Sequence, residues 1–282
     1  MNDASSSTIL WRGMNRAELD IAYNNSLAVP DGDKRRDGWI ARSVEMRKKN
    51  PELLDLAYGQ RERNRLDVFR SGKTRAPLFV LIHGGYWQRN HKDMFACMAE
   101  GPLSKGFDVA VIGYTLCPEV TLTELVAETH QAIRYLRKEG PSRGFGADKL
   151  VVSGWSAGGH LTAMTLGLDE VDAGLAISGI YDVEPCRLNY LNEKLHLTAA
   201  EAAAMSPLLH LPKRKIPATI AFGSVELPEL QRQSRAYHQA RLDAGLPSTL
   251  LPLEAHNHFS IMDELAAPTG KLTGALNNLI VA

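Results

Sequence analysis

The chain has 282 residues, of which 44% are hydrophobic and 23% charged, a composition typical of a globular protein rather than a disordered one. Its 32 basic and 32 acidic residues give a net charge of zero, so no overall charge draws it to nucleic acid or to an anionic membrane. The longest apolar runs, such as 77–82, are far shorter than the roughly 18 residues that a membrane span requires.

The N-terminus and the cysteines indicate a cellular compartment. Residues 1–10 are polar and rich in serine, without the apolar stretch of a secretion signal. Cys97, Cys117 and Cys186 are odd in number and far apart in the sequence, which is typical of reduced thiols. We therefore expect a cytoplasmic protein with a small-molecule substrate and with no nucleic-acid or membrane partner. The sequence leaves a homo-oligomer open.

The first 50 residues form a distinct segment. Short polar helices are predicted over 15–23 and 38–49, with a charged connection at 31–37 between them. This stretch has too few apolar residues to bury a core of its own. We expect a peripheral helical layer on a single domain that spans 1–282.

From residue 53 onward, short apolar runs alternate with helical patterns. A hairpin is predicted from strands at 54–58 and 66–70. Buried strands are predicted at 78–83, 109–114, 150–153, 173–178, 218–222 and 249–253. Helices are predicted over 122–136 and 227–244, and a capping pattern at 198–201 begins a helix inside an insertion at 183–215. This alternation predicts an α/β fold with a mostly parallel central sheet, helices on both faces and a small helical cap.

The sequence GWSAG at 154–158 follows a predicted strand and precedes a predicted helix. A G-x-S-x-G sequence in that context is the nucleophile elbow, in which a sharp turn exposes the serine, here Ser156. Small residues at 154 and 158 allow the close backbone approach that such a turn needs. The alternative is a chance match, because the same pattern occurs in unrelated loops.

A second motif makes chance less probable. The sequence HGGYW at 83–87 ends a predicted strand 73 residues before Ser156. Such a loop offers the backbone N–H groups of Gly84 and Gly85 to an oxyanion, and Ala157 after the nucleophile supplies another. The rings of Tyr86 and Trp87 beside this loop suit either substrate binding or core packing.

An acid and then a histidine should follow the nucleophile along the chain. Glu226 comes just after the strand at 218–222, where the acid belongs, and Glu229 is a weaker candidate inside the next helix. Asp182 precedes the insertion and is interpreted as structural. Beyond the last strand, His256 and His258 are both candidates for the base.

The remaining chemistry-bearing residues favour simpler interpretations. His160 follows Ser156 by four residues and is expected to be a buried hydrogen-bonding group. A metal pair at His256 and His258 lacks a third ligand at a recognisable spacing, so neither a metal nor another cofactor is expected. Four histidines are interpreted as surface or packing residues: His130, His196, His210 and His238.

With these residues identified, the sequence resembles the α/β-hydrolase superfamily and, within it, the kynurenine formamidase (arylformamidase) group. The resemblance covers roughly residues 15–280. It is carried by LDLAYG at 54–59, LDVF at 66–69, HGGYW at 83–87, GWSAGGH at 154–160 and NHF at 257–259.

The resemblance implies a role for each matching position. Ser156 would be the nucleophile, His258 the base and Glu226 the acid. Gly84, Gly85 and Ala157 match the oxyanion-hole positions. This group often has aspartate as the acid, and Glu226 is one methylene longer.

The function expected from the residues and the resemblance is serine hydrolysis of an amide or ester through an acyl-enzyme. The resemblance favours an arylformamidase acting on N-formylkynurenine or a related aryl formamide. A carboxylesterase or small-molecule amidase of the same fold is the alternative. A more remote alternative, a non-catalytic binding protein, predicts a broken triad.

Overall fold

The computed structural model describes residues 8–281 and contains one eight-stranded sheet in the order β1-β2-β4-β3-β5-β6-β7-β8. The strands are β1 Leu56–Ala57, β2 Arg65–Phe69, β3 Leu78–Ile82, β4 Asp108–Ile112, β5 Leu150–Trp155, β6 Ala173–Ile177, β7 Ala218–Gly223 and β8 Ser248–Leu253. Strand β2 pairs antiparallel with β1 and β4, and the other neighbouring strands pair parallel. The predicted hairpin and mostly parallel sheet are confirmed, although β1 is shorter than predicted. The prediction of a buried strand at 249–253 is wrong, because β8 lies at the edge of the sheet and only its Leu253 is buried.

Helices cover both faces of this sheet. They are α1 Arg16–Ala22, α2 Asn25–Ala28, α3 Gly32–Lys49, α4 Glu100–Ser104, α5 Leu122–Arg143, α6 Ala157–Thr165, α7 Glu184–Arg187, α8 Asn192–Leu195, α9 Ala199–Ala204, α10 Pro228–Asp243, α11 Asp263–Ala266 and α12 Lys271–Val281. Two 3-10 helices span Lys92–Ala99 and Ser260–Met262. None of the helices described between residues 8 and 281 combines the length and the apolar character needed to cross a bilayer.

Strand β3 shows why the fold has three layers. Val80 and Ile82 belong to one hydrophobic cluster, which includes Leu125 of α5. Phe79 and Leu81 belong to a second cluster on the opposite face. Because alternate side chains of a strand point to opposite faces, a continuous apolar run is buried only when both faces are covered.

The predicted charged connection at 31–37 is wrong, because most of that stretch is the beginning of α3. The helix continues through Gly38 and buries Trp39 and Ser43. Its charged residues form ion pairs along the helix surface, such as Arg35 with Asp31 at 2.9 Å. A polar helix held by pairs of this kind shows little apolar periodicity, which is why the sequence pattern resembled a loop.

The capping pattern at 198–201 is half confirmed. The Thr198 hydroxyl accepts a 3.1 Å hydrogen bond from the Glu201 backbone and begins α9. The Glu201 carboxylate does not return this bond to Thr198. It accepts hydrogen bonds from the backbone and hydroxyl of Thr123, at 3.0 and 2.8 Å, and so ties the 183–215 stretch to the beginning of α5.

Candidate active site

The candidate nucleophile lies on a strained turn between β5 and α6. Ser156 has φ 58° and ψ −118°, a conformation that costs a non-glycine residue energy and is concentrated at functional sites. A Cβ atom at Gly154 would lie 2.2 Å from the Gly158 oxygen, and one at Gly158 would lie 2.0 Å from the Ile82 oxygen. The turn therefore requires both glycines of the motif.

The candidate base and acid form a buried pair. His258 Nδ1 lies 2.9 Å from Glu226 Oε2, and both residues are at most 5% exposed. Since a carboxylate only accepts hydrogen bonds, the Nδ1 atom carries the proton and Nε2 is left to accept one. This is the tautomer that a general base for serine requires.

Two further groups fix the Glu226 carboxylate. Its Oε1 atom accepts hydrogen bonds from the Ser178 hydroxyl and from the Gly223 backbone, both at 2.6 Å. Glu229, the weaker sequence candidate, instead pairs with Arg232 at 2.8 Å. The structure therefore brings Glu226 to the histidine and leaves Glu229 in an ion pair on α10.

Sequence reasoning missed Ser178 and Trp155. Ser178 follows β6, the strand next to β5, and in a parallel sheet the carboxyl ends of neighbouring strands meet at one edge. That rule was the available signal for Ser178. The Trp155 indole donates a 2.7 Å hydrogen bond to the His258 carbonyl oxygen, a long-range contact for which the sequence carries no signal.

The candidate oxyanion loop leaves backbone donors unused. Among the described residues, the N–H groups of Gly85 and Ala157 donate to no backbone acceptor. Gly85 has φ 122°, a value that glycine adopts readily. A Cβ atom at Gly84 would lie 2.9 Å from the Ser156 Cβ, so the loop lies directly against the nucleophile. These positions suit an oxyanion bound beside Ser156.

His83, which begins this loop, is a structural residue. It is fully buried, and its Nδ1 atom lies 2.8 Å from the Gly84 oxygen. Its ring stacks on Tyr114 with centroids 4.2 Å apart. Burial lowers the pKa of His83 to about 3, so the ring is neutral at physiological pH.

A small cavity of about 30 Å³ joins the candidate residues. Eleven residues line it: Asn25, Ser26, Arg36, Gly85, Tyr86, Arg89, Asn90, Trp155, Ser156, His258 and Phe259. Among the described residues, no hydrogen bond joins the Ser156 and His258 side chains, a contact that often tightens only when substrate binds. The lining includes residues of α2 and α3 and none of 183–215.

The two aromatic candidates differ in placement. Tyr86 lines the cavity, and its hydroxyl donates a 2.6 Å hydrogen bond to the Tyr23 carbonyl oxygen. Trp87 is fully buried, and its indole nitrogen lies 3.2 Å from His160 Nδ1. This placement favours core packing over substrate contact for Trp87.

The other histidines near the site have structural partners. His256 Nδ1 lies 3.2 Å from the Ser260 oxygen and its Nε2 lies 3.1 Å from Glu264, so its ring supports the loop that carries His258. His160 is fully buried, with Nε2 2.8 Å from the Met205 oxygen. Burial lowers the pKa of His160 to about 4.

A group of carboxylates outside the cavity has the spacing of a metal site. Oxygen atoms of Asp55, Asp67 and Asp93 lie within 4.8 Å of one another. The Lys92 ammonium lies 2.6 to 2.8 Å from all three, and Arg47 pairs with the same carboxylates. Two protein cations, Lys92 and Arg47, already balance most of the charge of the three carboxylates. The cluster ties α3 to β2 and to the 3-10 helix at Lys92–Ala99.

Apart from His258 and the phenol of Tyr86, the ionisable groups that line the cavity are the cations Arg36 and Arg89. Arg36 pairs with Asp33, and its guanidinium lies over the Phe259 ring, 5.5 Å from the centroid. Arg89 is exposed and lies on the oxyanion loop. No carboxylate is among the described lining residues, so the cavity suits a negatively charged group on the substrate.

The eight-stranded sheet, the elbow and the buried histidine–carboxylate pair define an α/β-hydrolase. The BD-FAE family model matches residues 66–178. Kynurenine formamidase from Danio rerio is 30% identical over 298 residues, covering 96% of this chain and 98% of the relative. The chain belongs to the kynurenine formamidase family, and it is a hydrolase.

Other relatives agree. Kynurenine formamidase from Drosophila melanogaster is 30% identical over 258 residues, covering 83% of this chain and 84% of the relative. A protein from Silicibacter sp. TM1040, provisionally described as a thioesterase, superposes with a TM-score of 0.83 at 30% identity, covering 94% of this chain and 99% of that one. An esterase from Pyrobaculum calidifontis superposes with a TM-score of 0.70 at 18% identity, covering 89% of this chain and 95% of that one, which shows the shared fold alone.

Proposed function

We propose that the protein is an arylformamidase that releases formate from N-formylkynurenine or a related aryl formamide, with Ser156, His258 and Glu226 as its catalytic triad. The observation that carries this proposal is the 2.9 Å contact between His258 and Glu226 in the cavity wall that also holds Ser156. The family relationship supplies the substrate class.

In the proposed reaction, Ser156 Oγ attacks the formyl carbon while His258 Nε2 takes the hydroxyl proton. Glu226 holds the imidazole in its tautomer and stabilises the imidazolium that forms. The N–H groups of Gly85 and Ala157 stabilise the oxyanion, each by about 3 kcal/mol. His258 then gives its proton to the leaving nitrogen, and water hydrolyses the formyl-enzyme to formate and free serine.

The lining of the cavity supports an aryl leaving group. The rings of Tyr86, Trp155 and Phe259 all line it, and aromatic side chains pack favourably against a substrate ring. Arg36 and Arg89 supply the positive charge that the amino-acid carboxylate of N-formylkynurenine would meet.

We propose further that the working unit is the single domain 1–282, with 1–50 as a peripheral layer and 183–215 as a helical insertion. The lining residues Asn25, Ser26 and Arg36 support a role for the N-terminal segment in forming the site. Cytoplasmic location is supported by the three free, buried cysteines, which suit a reducing compartment.

A carboxylesterase remains the second candidate, because the fold is shared with esterases such as that of Pyrobaculum calidifontis. A substrate panel separates the two functions. We expect kcat/KM for N-formylkynurenine to exceed that for p-nitrophenyl acetate and for acetanilide. A higher kcat/KM for the ester, with no formate released from N-formylkynurenine, would assign the esterase function instead.

The same panel, with neutral formanilide added, tests the role of Arg89. Arg89→Gln should lower kcat/KM for N-formylkynurenine by about tenfold, the effect of losing one charge-assisted contact of about 1.4 kcal/mol. Turnover of neutral formanilide should change little. Lys34→Gln is the control, since Lys34 is an exposed cation of α3 that does not line the cavity. An equal loss with both substrates would contradict a carboxylate-binding role for Arg89.

A further inference from the structure

One residue of the cavity wall carries a buried hydrogen-bond acceptor that no group of the described residues uses. Asn25 lines the cavity and is 5% exposed. Its Nδ2 atom donates a 3.0 Å hydrogen bond to the Tyr86 hydroxyl. Its Oδ1 atom is buried and accepts no hydrogen bond among the described residues. Buried side-chain acceptors usually have a partner, and at the wall of a substrate cavity a donor of the substrate can supply it.

The orientation of the Asn25 amide follows from its neighbours. The Tyr86 hydroxyl has one proton and donates it to the Tyr23 carbonyl oxygen at 2.6 Å. Since a carbonyl oxygen only accepts, Tyr86 can only accept from Asn25. The amide must therefore present its NH₂ group to Tyr86, and Oδ1 is the atom left without a donor.

This acceptor belongs to the same wall as the candidate catalytic groups. Tyr86 directly follows Gly85, whose N–H is a candidate oxyanion donor, and both residues line the cavity with Ser156. A substrate whose carbonyl oxygen binds at Gly85 and whose carbon meets Ser156 would have its leaving atom in this cavity, which His258 and Asn25 also line. The leaving atom of an anilide carries an N–H donor, whereas the leaving oxygen of an ester carries only lone pairs.

We propose that Asn25 is a specificity-determining residue, whose Oδ1 accepts a hydrogen bond from the N–H of the scissile amide and so favours amides over esters. This inference rests on the proposed formamidase function. A site built to bond a substrate N–H rejects analogues that lack it, because its own buried polar group is then left unpaired. Tyr86 acts through Asn25 as a positioning residue.

The test compares formanilide with phenyl formate. The two substrates have the same acyl group and the same ring, and differ only in whether an N–H group or an oxygen atom joins them. The readout is the ratio of their kcat/KM values, corrected for spontaneous ester hydrolysis. In Asn25→Ala this ratio should fall by about tenfold to hundredfold, the usual effect of removing one buried hydrogen bond to substrate. A general structural defect would lower both rates and leave the ratio unchanged.

Two other variants make the test independent of folding. Asn24→Ala removes the side chain that caps α2 through the Leu27 N–H, at 3.0 Å, and should leave the ratio unchanged even if both rates fall. Tyr86→Phe keeps the ring that lines the cavity but frees the Asn25 amide to rotate. It should lower the ratio, by less than Asn25→Ala.

The outcomes separate the inference from the proposed function. A fall of the ratio in Asn25→Ala and Tyr86→Phe, but not in Asn24→Ala, supports the role of Asn25. Hydrolysis of formanilide with the same ratio in all variants overturns that role and leaves the formamidase function intact. Hydrolysis of phenyl formate alone by the wild type overturns both.

Discussion

The Trp155 indole nitrogen donates a 2.7 Å hydrogen bond to the carbonyl oxygen of His258, and the two rings lie 5.0 Å apart. Trp155 is the residue immediately before the candidate nucleophile. The strand end that carries Ser156 therefore also holds the loop that carries the candidate base. The relative position of the two candidate catalytic groups depends on this hydrogen bond and on the ring contacts of Trp155 with His258 and Phe259, as well as on the backbone.

Loss of this hydrogen bond should affect turnover more than binding. Trp155→Phe keeps an aromatic ring but removes the donor, so the His258 loop can shift. We expect kcat to fall by about tenfold to hundredfold, since displacing a catalytic group by about 1 Å has effects of that size. KM should change little.

The matched control is Trp87→Phe. It removes the indole donor to the fully buried His160, away from the cavity. That variant should lower the thermal unfolding midpoint while kcat stays near the wild-type value. If kcat falls equally in both variants, the loss reflects general loosening of the core rather than the position of His258.

The two carboxylates considered from the sequence should behave differently. Glu226→Gln keeps the size of the side chain but removes the charge that stabilises the imidazolium, so kcat should fall by up to about 10⁴-fold, as in the serine-protease case. Glu229→Gln disrupts the ion pair with Arg232 and a 3.4 Å hydrogen bond from the Tyr23 hydroxyl. Neither contact involves His258, so the variant should cost little. If Glu229→Gln is inactive and Glu226→Gln is active, Glu229 is the acid of the triad and the assignment of Glu226 is wrong.

The two loop histidines provide a second matched pair. His258→Ala removes the proposed base and should be nearly inactive. His256→Ala removes contacts to Ser260 and Glu264 that support the loop, so it should be impaired but active. Steady-state kinetics with circular dichroism to check folding decides between them. The opposite pattern would contradict the assignment of the base.

Much of this site could be predicted because its parts lie at strand ends, where local motifs are informative. Ser156 and Gly85 each follow a buried apolar strand within a few residues, and His258 follows the edge strand β8. Parallel strands bring such ends together. The choice of Glu226 over Glu229 also followed from its position just after β7. The same rule could have found Ser178, which follows β6. The contact of Trp155 with the His258 carbonyl oxygen depends on packing between distant segments, which leaves no pattern in the sequence.

The N-terminal segment shows a different limit. Its low apolar content indicated a peripheral layer, but not that Asn25 and Arg36 would line the cavity. Helix α3 is held by Trp39 packing on Phe95, with centroids 5.8 Å apart, and by Arg47 in the Asp67 cluster. These interactions join residues far apart in the chain, so periodicity within 31–49 could not reveal them.

Buried neutral histidines predict a loss of stability in acid. Burial lowers the pKa of His160 to about 4 and that of His83 to about 3, while an unfolded histidine titrates near about 6.5. Below that value the unfolded chain binds protons that the folded chain does not. Each histidine should then lower the free energy of unfolding by about 1.4 kcal/mol per pH unit as the pH falls from 6 toward 4.

Urea unfolding at pH 7, 6 and 5 measures this slope, provided that the transition remains two-state. His160→Gln should be less stable than the wild type at pH 7. Its stability should decrease less steeply in acid, because its unfolding takes up about one proton fewer. An unchanged slope in His160→Gln would show that this histidine is not the buried neutral group described.

The most direct test of the proposed triad and function is formate release from N-formylkynurenine by the wild type and by Ser156→Ala. We expect rapid release by the wild type and a loss of about 10⁶-fold in kcat for the variant, which is the loss found when the serine of a protease triad is removed. Circular dichroism should show the same fold for both proteins. Formate release by a clean preparation of Ser156→Ala at more than a tenth of the wild-type rate would contradict the assignment of Ser156 as the nucleophile.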